Sequence, residues 1–362
     1  MTRPLNVQFF HTRRSHFGAH SGVHQFISHL DTSKVLPFVR SVSDSDDDMP
    51  AHGLRKRPAV RRAIRELVQC RGQIWYKLSD LQAEGDAFGR WARGGLDVLH
   101  FIDAEHTAQF LPWLASSFRS RGGTVGTYHQ PARILASVVP ASVPRHLDRV
   151  VLVSSSQRAF FEGHTPPERL CVVPHGVDVD FFRPRPDAPR AHDGVRCLTT
   201  GSYFRDWALL ARVANGLRHA DNMTFDVVSS SAPVFPALPS VTVHRQIDDE
   251  ALRRLYQEAD LLLLPLVDAT ANNALLEGMA SGLPVVATDL VAVREYAAPL
   301  GGVYVPHDAD AFIAAIASLA SKPEARQRMG VSSRQRAETF AWPLIARMYE
   351  QLYAQIALER GR

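Results

Sequence analysis

Short apolar runs recur along the chain, and each is followed by small polar residues and then by a segment with apolar residues at helical spacing. This alternation of strand and helix patterns is typical of a parallel sheet that is covered by helices on both faces. The predicted strands span residues 5–10, 98–102, 124–128, 150–153, 197–200, 224–228, 261–265 and 284–287. The pattern therefore predicts a doubly wound α/β fold.

The alternation breaks once, between Phe181 and Gly194, where three prolines stand in a polar stretch without periodicity. Such a stretch indicates a linker, and a chain of 362 residues is long enough to form two hydrophobic cores. From Pro343 onward the apolar residues return at helical spacing. We predict Rossmann-like domains over residues 1–185 and 186–340, followed by an amphipathic helix over residues 341–362 that crosses back to the first domain.

The composition narrows the class of protein. With 45% hydrophobic and 22% charged residues, the chain has the composition of a soluble globular protein. Its three cysteines are too few and too scattered for a disulfide framework or a zinc site. The first residues contain no apolar stretch long enough for a signal peptide, and no segment reaches the roughly eighteen apolar residues of a membrane span. We expect a cytoplasmic protein.

The charged residues form two local runs, an acidic one from Ser41 to Asp48 and a basic one from Arg55 to Arg65 that begins a predicted helix. One interpretation is a solvated loop and an exposed helix face. The other is contact of the basic helix with the inner face of an anionic membrane or with a lipid-linked acceptor. The net charge of +4 favours an anionic partner only weakly. We expect no nucleic acid partner.

The segment from residue 261 to residue 295 is the richest in candidate chemistry. An apolar strand is followed by a polar loop with Asn272 and Asn273. The next helix begins at Ala274, continues with Leu275 and contains Glu277. The N–H groups and positive dipole end of such a helix bind anions, which predicts a diphosphate site there. A carboxylate one turn inside the helix can accept both hydroxyl protons of a ribose. The alternative is that the asparagines only cap the helix and the glutamate is a dipole-favoured acid.

The same segment continues through Gly282 and Pro284 into a Val-Val strand. It resembles the donor-site signature of the family 4 glycosyltransferases, which has two glutamates with seven residues between them. The second glutamate matches Glu277, whereas the first falls on Ala269, and the nearest carboxylate is Asp268. The resemblance implies the GT-B fold, with two Rossmann-like domains facing across a cleft, and a retaining reaction without a metal ion. It also implies that the first domain binds the acceptor and the second the nucleotide sugar.

Further donor residues follow from the resemblance. In the family, backbone groups before the donor strand hold the base, which corresponds to Gln246 and Ile247. A glycine turn with a following arginine and lysine neutralises the diphosphate, and this chain has Gly201 and Arg205 but no lysine there. The first strand-to-helix turn, which ends at Gly22, borders the phosphates and the acceptor in this fold.

The amino-terminal half offers a catalytic candidate and an acceptor side. His129 follows a strand in a Thr-x-His segment, and in the family this histidine reaches the donor sugar near the reacting carbon. Without the resemblance, a lone histidine after a strand is more often a packed or capping group. Asp103, Glu105 and His106 follow another predicted strand, and we expect them on the acceptor side.

The sequence thus predicts transfer of a sugar from a nucleotide diphosphate sugar to a hydroxyl of a glycan, a lipid-linked or a small-molecule acceptor. The expected catalytic residues are His129, Arg205 and Glu277. We expect no cofactor, with a uridine diphosphate sugar as the first choice of donor and a guanosine diphosphate sugar as the second. Two alternatives stay open: a sugar phosphorylase or sugar-phosphate synthase on the same fold, and a non-catalytic subunit that binds a nucleotide sugar.

Overall fold

The computed structural model describes residues 3–14, 18–44, 57–118, 122–185, 194–220, 222–233, 235 and 238–361. The chain divides into two compact units. Unit 1 comprises Met1–Phe17, Val23–His175 and Pro343–Arg362, and unit 2 comprises Gly18–Gly22 and Gly176–Trp342. The units divide after His175, whereas the sequence predicts a domain boundary near residue 185.

Unit 1 is built on a parallel sheet with the strand order β2-β1-β3-β4-β5-β6. The strands are β1 (Leu5–Arg13), β2 (Val35–Ser43), β3 (Val98–Phe101), β4 (Gly123–Tyr128), β5 (Arg149–Leu152) and β6 (Leu170–Val172). The α-helices between them are α1 (Pro58–Val68), α2 (Leu78–Ala92), α3 (Ala104–Thr107), α4 (Phe110–Ser116), α5 (Ala132–Val138) and α6 (Arg158–Phe161). Short 3-10 helices cover Val23–His29, Pro144–His146, Ser155–Gln157 and Pro167–Arg169.

Unit 2 contains a second parallel sheet with the strand order β12-β11-β10-β7-β8-β9. The strands are β7 (Val195–Thr200), β8 (Met223–Val228), β9 (Val241–His244), β10 (Leu261–Leu264), β11 (Val285–Thr288) and β12 (Gly302–Val305). The helices are α7 (Trp207–Gly216), α8 (Asp249–Glu258), α9 (Asn273–Ala280), α10 (Val291–Tyr296), α11 (Ala309–Ala320), α12 (Pro323–Glu338) and the first residue of α13 (Trp342–Glu359).

The central strands of unit 2 show why the apolar runs predict strands. Successive residues of β10 point to opposite faces of the sheet, and Leu262 and Leu264 pack in one hydrophobic cluster while Leu261 and Leu263 pack in another. A strand that is buried on both faces is therefore apolar at every position. The sequence prediction of a parallel α/β sheet is confirmed in both units.

The strands that the apolar pattern misses are β2, β6, β9 and β12, which form the outer edges of the two sheets. They are less buried than the central strands: β9 has no fully buried residue, and β12 has one among the described residues. An edge strand therefore lacks the continuous apolar run that marks a central strand. The predicted acidic loop is wrong at its start, because Ser41 lies within β2. Residues 45–48, Arg55 and Lys56 lie outside the described residues.

The carboxyl-terminal helix α13 packs in unit 1 from Pro343 onward. Its Tyr353 hydroxyl lies 2.6 Å from Nδ1 of His100 in the middle of β3, and Tyr349 stacks on Phe26. Near its end, Arg360 forms an ion pair with Asp148. The amphipathic pattern after Pro343 thus reflects a face that is buried within unit 1.

Candidate active site

The candidate donor residues lie at the carboxyl ends of parallel strands in unit 2, in the loops after β7 and β10. The N–H of Asp206 donates to the carbonyl of Pro265 at 2.9 Å, and the N–H of Val267 donates to the carbonyl of Phe204 at 3.0 Å. Gly201 has a φ of 85°, in the left-handed region that glycine adopts without strain. These bonds fix the two loops side by side at the sheet edge, where ligands bind in such folds.

The amino terminus of α9 has the geometry of a capped helix. Asn272 Oδ1 accepts from the N–H of Leu275 at 3.1 Å and from Nη2 of Arg205 at 3.4 Å. The side chains of Ala274 and Leu275 are buried in the hydrophobic core, and Asn273 is half-buried. The capping role of Asn272 is therefore present, and any contact of Ala274 or Leu275 with a donor has to come from the backbone.

Glu277 lies one turn inside α9 and is buried. Its Oε1 accepts from the hydroxyl of Ser21 at 2.8 Å, and its Oε2 accepts from the hydroxyl of Tyr256 at 2.9 Å. Because the Tyr256 proton is directed to the carboxylate, the Thr200 hydroxyl at 2.7 Å donates to the tyrosine oxygen. Burial raises the pKa of Glu277, and the two hydroxyl hydrogen bonds oppose this rise. Both identified donors to this carboxylate are thus side-chain hydroxyl groups.

Arg205 lies beside this carboxylate and is anchored by its own turn. Its Nε and Nη2 donate to the carbonyl of Thr200 at 2.9 and 2.6 Å, and its Nη1 donates to the carbonyl of Tyr203 at 2.9 Å. Burial lowers the pKa of Arg205 to about 10, whereas the nearby Tyr256 and Glu277 raise it. The guanidinium therefore stays charged at neutral pH.

The acid that follows Arg205 in the sequence serves another purpose. Asp206 Oδ1 accepts from the N–H of Leu209 and caps α7, and its Oδ2 lies 3.2 Å from Nε2 of His307. The pairing with a helix terminus and a histidine turns this carboxylate toward α7. Arg205 is thus the cation that the loop after β7 brings to Asn272.

The other predicted donor residues lie around the same sheet edge. Asp268 is half-buried and accepts from the N–H of Ala269, whose methyl group is buried in the core. Gln246 is exposed and Ile247 half-buried, at the carboxyl end of β9. Gln246 has a φ of 52°, a conformation that is uncommon for a residue with a side chain. Gly22, with a φ of 104°, ends the segment that clusters with unit 2.

The predicted acceptor residues cluster at the carboxyl ends of β1 and β3 in unit 1. The N–H of Thr12 donates to Oδ2 of Asp103 at 2.8 Å. Nη2 of Arg14 donates to Nε2 of His106 at 3.1 Å, and the His106 ring stacks on Trp75. Burial lowers the pKa of His106 to about 3, so this histidine is neutral and accepts the arginine N–H.

The charge of Asp103 is stabilised by its neighbours. Burial by itself raises the pKa of a carboxyl group, but the charges of His129 and Arg14 and the hydrogen bond from the N–H of Thr12 outweigh it, so the pKa of Asp103 lies below its usual value. Asp103 is thus a buried, ionised carboxylate at this sheet edge, with the Arg14 guanidinium nearby. The arrangement suits a binding surface that is lined with hydrogen-bonding groups.

His129 lies at the end of β4 in unit 1, close to the predicted acceptor residues. Its Nε2–H donates to the carbonyl of Ile102 at 2.7 Å, and its backbone N–H donates to Oε1 of Glu105 at 3.0 Å. Burial raises the pKa of Glu105, while His129 lowers it. The structure therefore brings His129 together with Asp103 and Glu105.

The two residues that donate hydrogen bonds to Glu277 are not predicted from the sequence. Tyr256 occupies an apolar position of α8, where the helical spacing indicates a core residue, and its hydroxyl is hidden in that pattern. Ser21 lies in the glycine-rich turn, whose weak motif gives no reason to choose the serine over its neighbours. Their contacts with Glu277 join positions that are far apart in the sequence, so only the folded chain identifies them.

Two kinds of feature are absent from the residues that the structure describes. Within the ranges that the structure describes, no helix has both the length and the apolar run that a bilayer span requires. Across those same residues, no group of three or more histidine, cysteine, aspartate and glutamate side chains is arranged to hold a metal ion.

Comparison with known proteins finds a family match within unit 2. Residues 196–322 match the family model described as Glycosyl transferases group 1. The MMP alpha-(1->4)-mannosyltransferase of Mycolicibacterium hassiacum is 27% identical over 235 residues, which are 59% of this chain and 57% of the relative. The chain thus spans just over half the length of this curated relative.

Solved structures share the fold over nearly the whole chain. Sucrose-phosphate synthase from Thermosynechococcus elongatus superposes with a TM-score of 0.73 at 18% identity, covering 97% of this chain and 98% of that one. The Anabaena protein HepE in complex with UDP gives a TM-score of 0.65 at 13% identity, covering 97% of this chain and all of that one. The predicted α/β fold with two Rossmann-like domains, the GT-B architecture, is confirmed. The match of residues 196–322 to the group 1 glycosyl transferases includes the predicted donor residues from Gly201 to Glu277.

Proposed function

We propose that this protein is a glycosyltransferase that transfers a sugar from a nucleotide diphosphate sugar to an acceptor hydroxyl. The observation that carries the proposal is Glu277, a buried carboxylate one turn inside α9 that is held by two hydroxyl groups beside Arg205. A carboxylate in this place suits the two hydroxyls of a ribose. The match of residues 196–322 to the group 1 glycosyl transferases supports the proposal.

The donor complex follows from the placement of these groups. The diphosphate lies at the amino terminus of α9, where the helix dipole and the guanidinium of Arg205 stabilise its charge. The base lies near Gln246 and Ile247, and the ribose hydroxyls donate to Glu277. Asp268 takes the sugar contact that the buried methyl of Ala269 cannot make. Uridine diphosphate is the first choice of nucleotide, supported by the UDP complex of the similar HepE.

The reaction exchanges one carbon–oxygen bond for another. The bond between the anomeric carbon and the β-phosphate oxygen breaks, and the electron pair leaves with the diphosphate. The acceptor oxygen bonds to the anomeric carbon on the same face, and its proton passes to an oxygen of the leaving diphosphate. Arg205 and the start of α9 lower the barrier by stabilising the departing charge. Retention of configuration follows the family 4 resemblance.

The acceptor belongs with the polar cluster of unit 1, namely Asp103, Glu105, His106 and His129. Arg14, which donates to the neutral His106, adds a cation to this cluster. A cation here also suits an acceptor that carries a phosphate. The similar sucrose-phosphate synthase has a phosphorylated sugar in its name. The acceptor panel in the test therefore includes sugar phosphates beside glycans and lipid-linked saccharides.

The test is an incubation of the purified protein with nucleotide sugars and this acceptor panel, followed by release of nucleoside diphosphate and by NMR of the anomeric proton. We expect release that depends on one donor and one acceptor class, loss of release in Glu277→Gln, and a product with the anomeric configuration of the donor. An inverted product contradicts retention. Nucleotide binding without transfer to any acceptor favours the non-catalytic subunit instead.

We also propose that α1 contacts an anionic membrane surface. This helix carries Arg61, Arg62 and Arg65, and its penultimate residue, Leu67, is 71% exposed. Arg62 and Arg65 are exposed, and exposed arginine beside exposed leucine suits the boundary between charged headgroups and acyl chains. The test is sedimentation with vesicles of neutral or anionic lipid. We expect binding only to anionic vesicles, and its loss when the three arginines are changed to glutamine; equal sedimentation of both proteins contradicts the proposal.

A further inference from the structure

Residues 18–22, which we name the clasp, belong to unit 2 although they are remote from it in the sequence. The backbone N–H of Ala19 donates to Oδ2 of Asp249 at 2.7 Å, in the first turn of α8. The hydroxyl of Ser21 donates to Oε1 of Glu277 at 2.8 Å. The clasp is thus attached at both α8 and α9.

A third attachment fixes the middle of the clasp. The ring of His20 stacks on Phe181 with 3.6 Å between the ring centroids and 2° between their planes. Nδ1 of His20 donates to Oδ2 of Asp178 at 2.7 Å. Gly18 fits closely as well, because a Cβ atom at this position would lie 1.9 Å from Oδ1 of Asp249. Five residues with three separate attachments form an ordered segment rather than a loose turn.

The hydroxyl of Ser21 restricts the orientation of the Glu277 carboxylate. A carboxylate has about four lone-pair sites, and Ser21 and Tyr256 occupy one on each oxygen. Rotation of the carboxylate would break both bonds, so the remaining sites keep fixed directions. Because the Ser21 proton is directed to Glu277, the serine oxygen itself stays an acceptor. Ser21 therefore orders the carboxylate and adds an oxygen beside it.

We propose that Ser21 is a positioning residue that holds Glu277 in the orientation in which it accepts the ribose hydroxyls of the donor nucleotide. This inference rests on the proposed function of the donor site. It assigns to the clasp a role that its short glycine-serine motif does not indicate. The clasp residues Ala19 and His20 act by holding the serine in place.

The first arm of the test needs no ligand. The Glu277 carboxyl is followed by NMR titration of protein with 13C-labelled glutamate, and its signal is identified by its absence in Glu277→Gln. Because the Ser21 hydrogen bond lowers the pKa of Glu277, we expect Ser21→Ala to raise it. Ser21→Thr keeps a hydroxyl and is expected to keep the pKa of the wild type. Ser28→Ala, which removes an exposed hydroxyl bonded to the carbonyl of Gln25, is the matched control.

The second arm measures affinity for UDP, GDP and ADP by calorimetry in the same proteins. For the nucleotide that the wild type binds, we expect Ser21→Ala to weaken affinity roughly tenfold, the loss of one hydrogen bond to a charged group. Ser21→Thr restores affinity and Ser28→Ala leaves it unchanged. Gly18→Ala, whose new Cβ atom would displace the Asp249 carboxylate and break its bond to the N–H of Ala19, is a second variant that weakens binding if Ser21→Ala does not fold.

The outcomes separate this inference from the proposed function. If Ser21→Ala binds the nucleotide as tightly as the wild type, or more tightly, the role given to Ser21 is wrong and the proposed donor site stands. Equal affinity means that the site does not need the serine hydroxyl, and tighter binding means that the hydroxyl competes with the nucleotide for Glu277. An unchanged pKa of Glu277 in Ser21→Ala also overturns the role of Ser21. Failure of the wild type to bind any of the nucleotides overturns the proposed donor site and, with it, the role given to Ser21.

Discussion

Two buried glutamates, one in each unit, show how the same side chain takes different roles. Glu84 in α2 of unit 1 accepts from the backbone N–H groups of Gln109, Phe110 and Leu111 and from the hydroxyl of Tyr76. Glu277 in α9 of unit 2 has two side-chain hydroxyls as its identified donors. Burial raises the pKa of both carboxyl groups.

The two carboxylates differ in whether their hydrogen-bond donors belong to a helix terminus. The three N–H groups at Glu84 belong to the start of α4, where a helix has no internal acceptors. The carboxylate therefore caps α4, and its lone pairs are used by the fold. At Glu277 the hydroxyls leave lone pairs for a ligand, and the helix terminus nearby is capped by Asn272 instead. Burial and a raised pKa alone do not mark a functional carboxylate; the donor set distinguishes the two.

The largest expected effect comes from removal of the Glu84 carboxylate. In Glu84→Ala, four donors, three of them buried, lose their acceptor, and we expect the free energy of unfolding to fall by about 4 kcal/mol. Urea denaturation measures the change. The control is Glu66→Ala, which removes an exposed acid paired with Arg62 and is expected to cost less than about 1 kcal/mol. Equal, small costs for both variants contradict the capping role.

The raised pKa of Glu84 makes the stability of the fold depend on pH. The pKa of Glu84 is raised from 4.5 to about 7 by burial, so between these values the folded protein holds a proton that the unfolded chain has released. The free energy of unfolding therefore falls as the pH rises through this window, by up to roughly 3 kcal/mol. We expect Glu84→Gln to show a smaller fall than the wild type in urea denaturation at about pH 5 and pH 8. The same fall in both proteins excludes Glu84 as its source.

A smaller effect separates capping from binding within unit 2. Asn272 caps α9 and Asp308 caps α11, each by accepting from the N–H three residues on. Loss of either cap by substitution with alanine is expected to cost about 1 kcal/mol of unfolding free energy. We expect only Asn272→Ala to reduce stabilisation by a nucleotide, since Asn272 also accepts from Arg205. If both variants keep the full nucleotide effect, Asn272 is a cap and nothing more.

The sequence predicts the fold well where burial is complete. The central strand β10 is apolar at every position because both of its faces are covered. The edge strand β9 is only partly covered, so valine alternates with polar residues in it and its apolar signal is weak. The pattern thus misses the edge strands because they are partly exposed. It predicts the central strands and the order in which strands and helices alternate.

The site is predictable to the extent that its residues lie close in the sequence. Asn272 and Glu277 share one strand-to-helix segment, so their spacing on a helix indicates a common location. Ser21 and Tyr256 reach Glu277 only through the fold, and no local pattern in the sequence joins them. The carbonyl groups that anchor Arg205 are likewise invisible in a sequence, because every residue has one.

The assignment of Glu277 to a nucleotide site is open to a direct test, the shift of the unfolding midpoint with ligand. The wild type and Glu277→Gln are heated with UDP, GDP, ADP and their common sugar conjugates. A ligand at a hundred times its dissociation constant stabilises a folded protein by roughly 2.7 kcal/mol. We predict that one class of nucleotide raises the midpoint of the wild type and raises that of Glu277→Gln much less. No shift with any nucleotide, or the same shift in both proteins, would contradict the account.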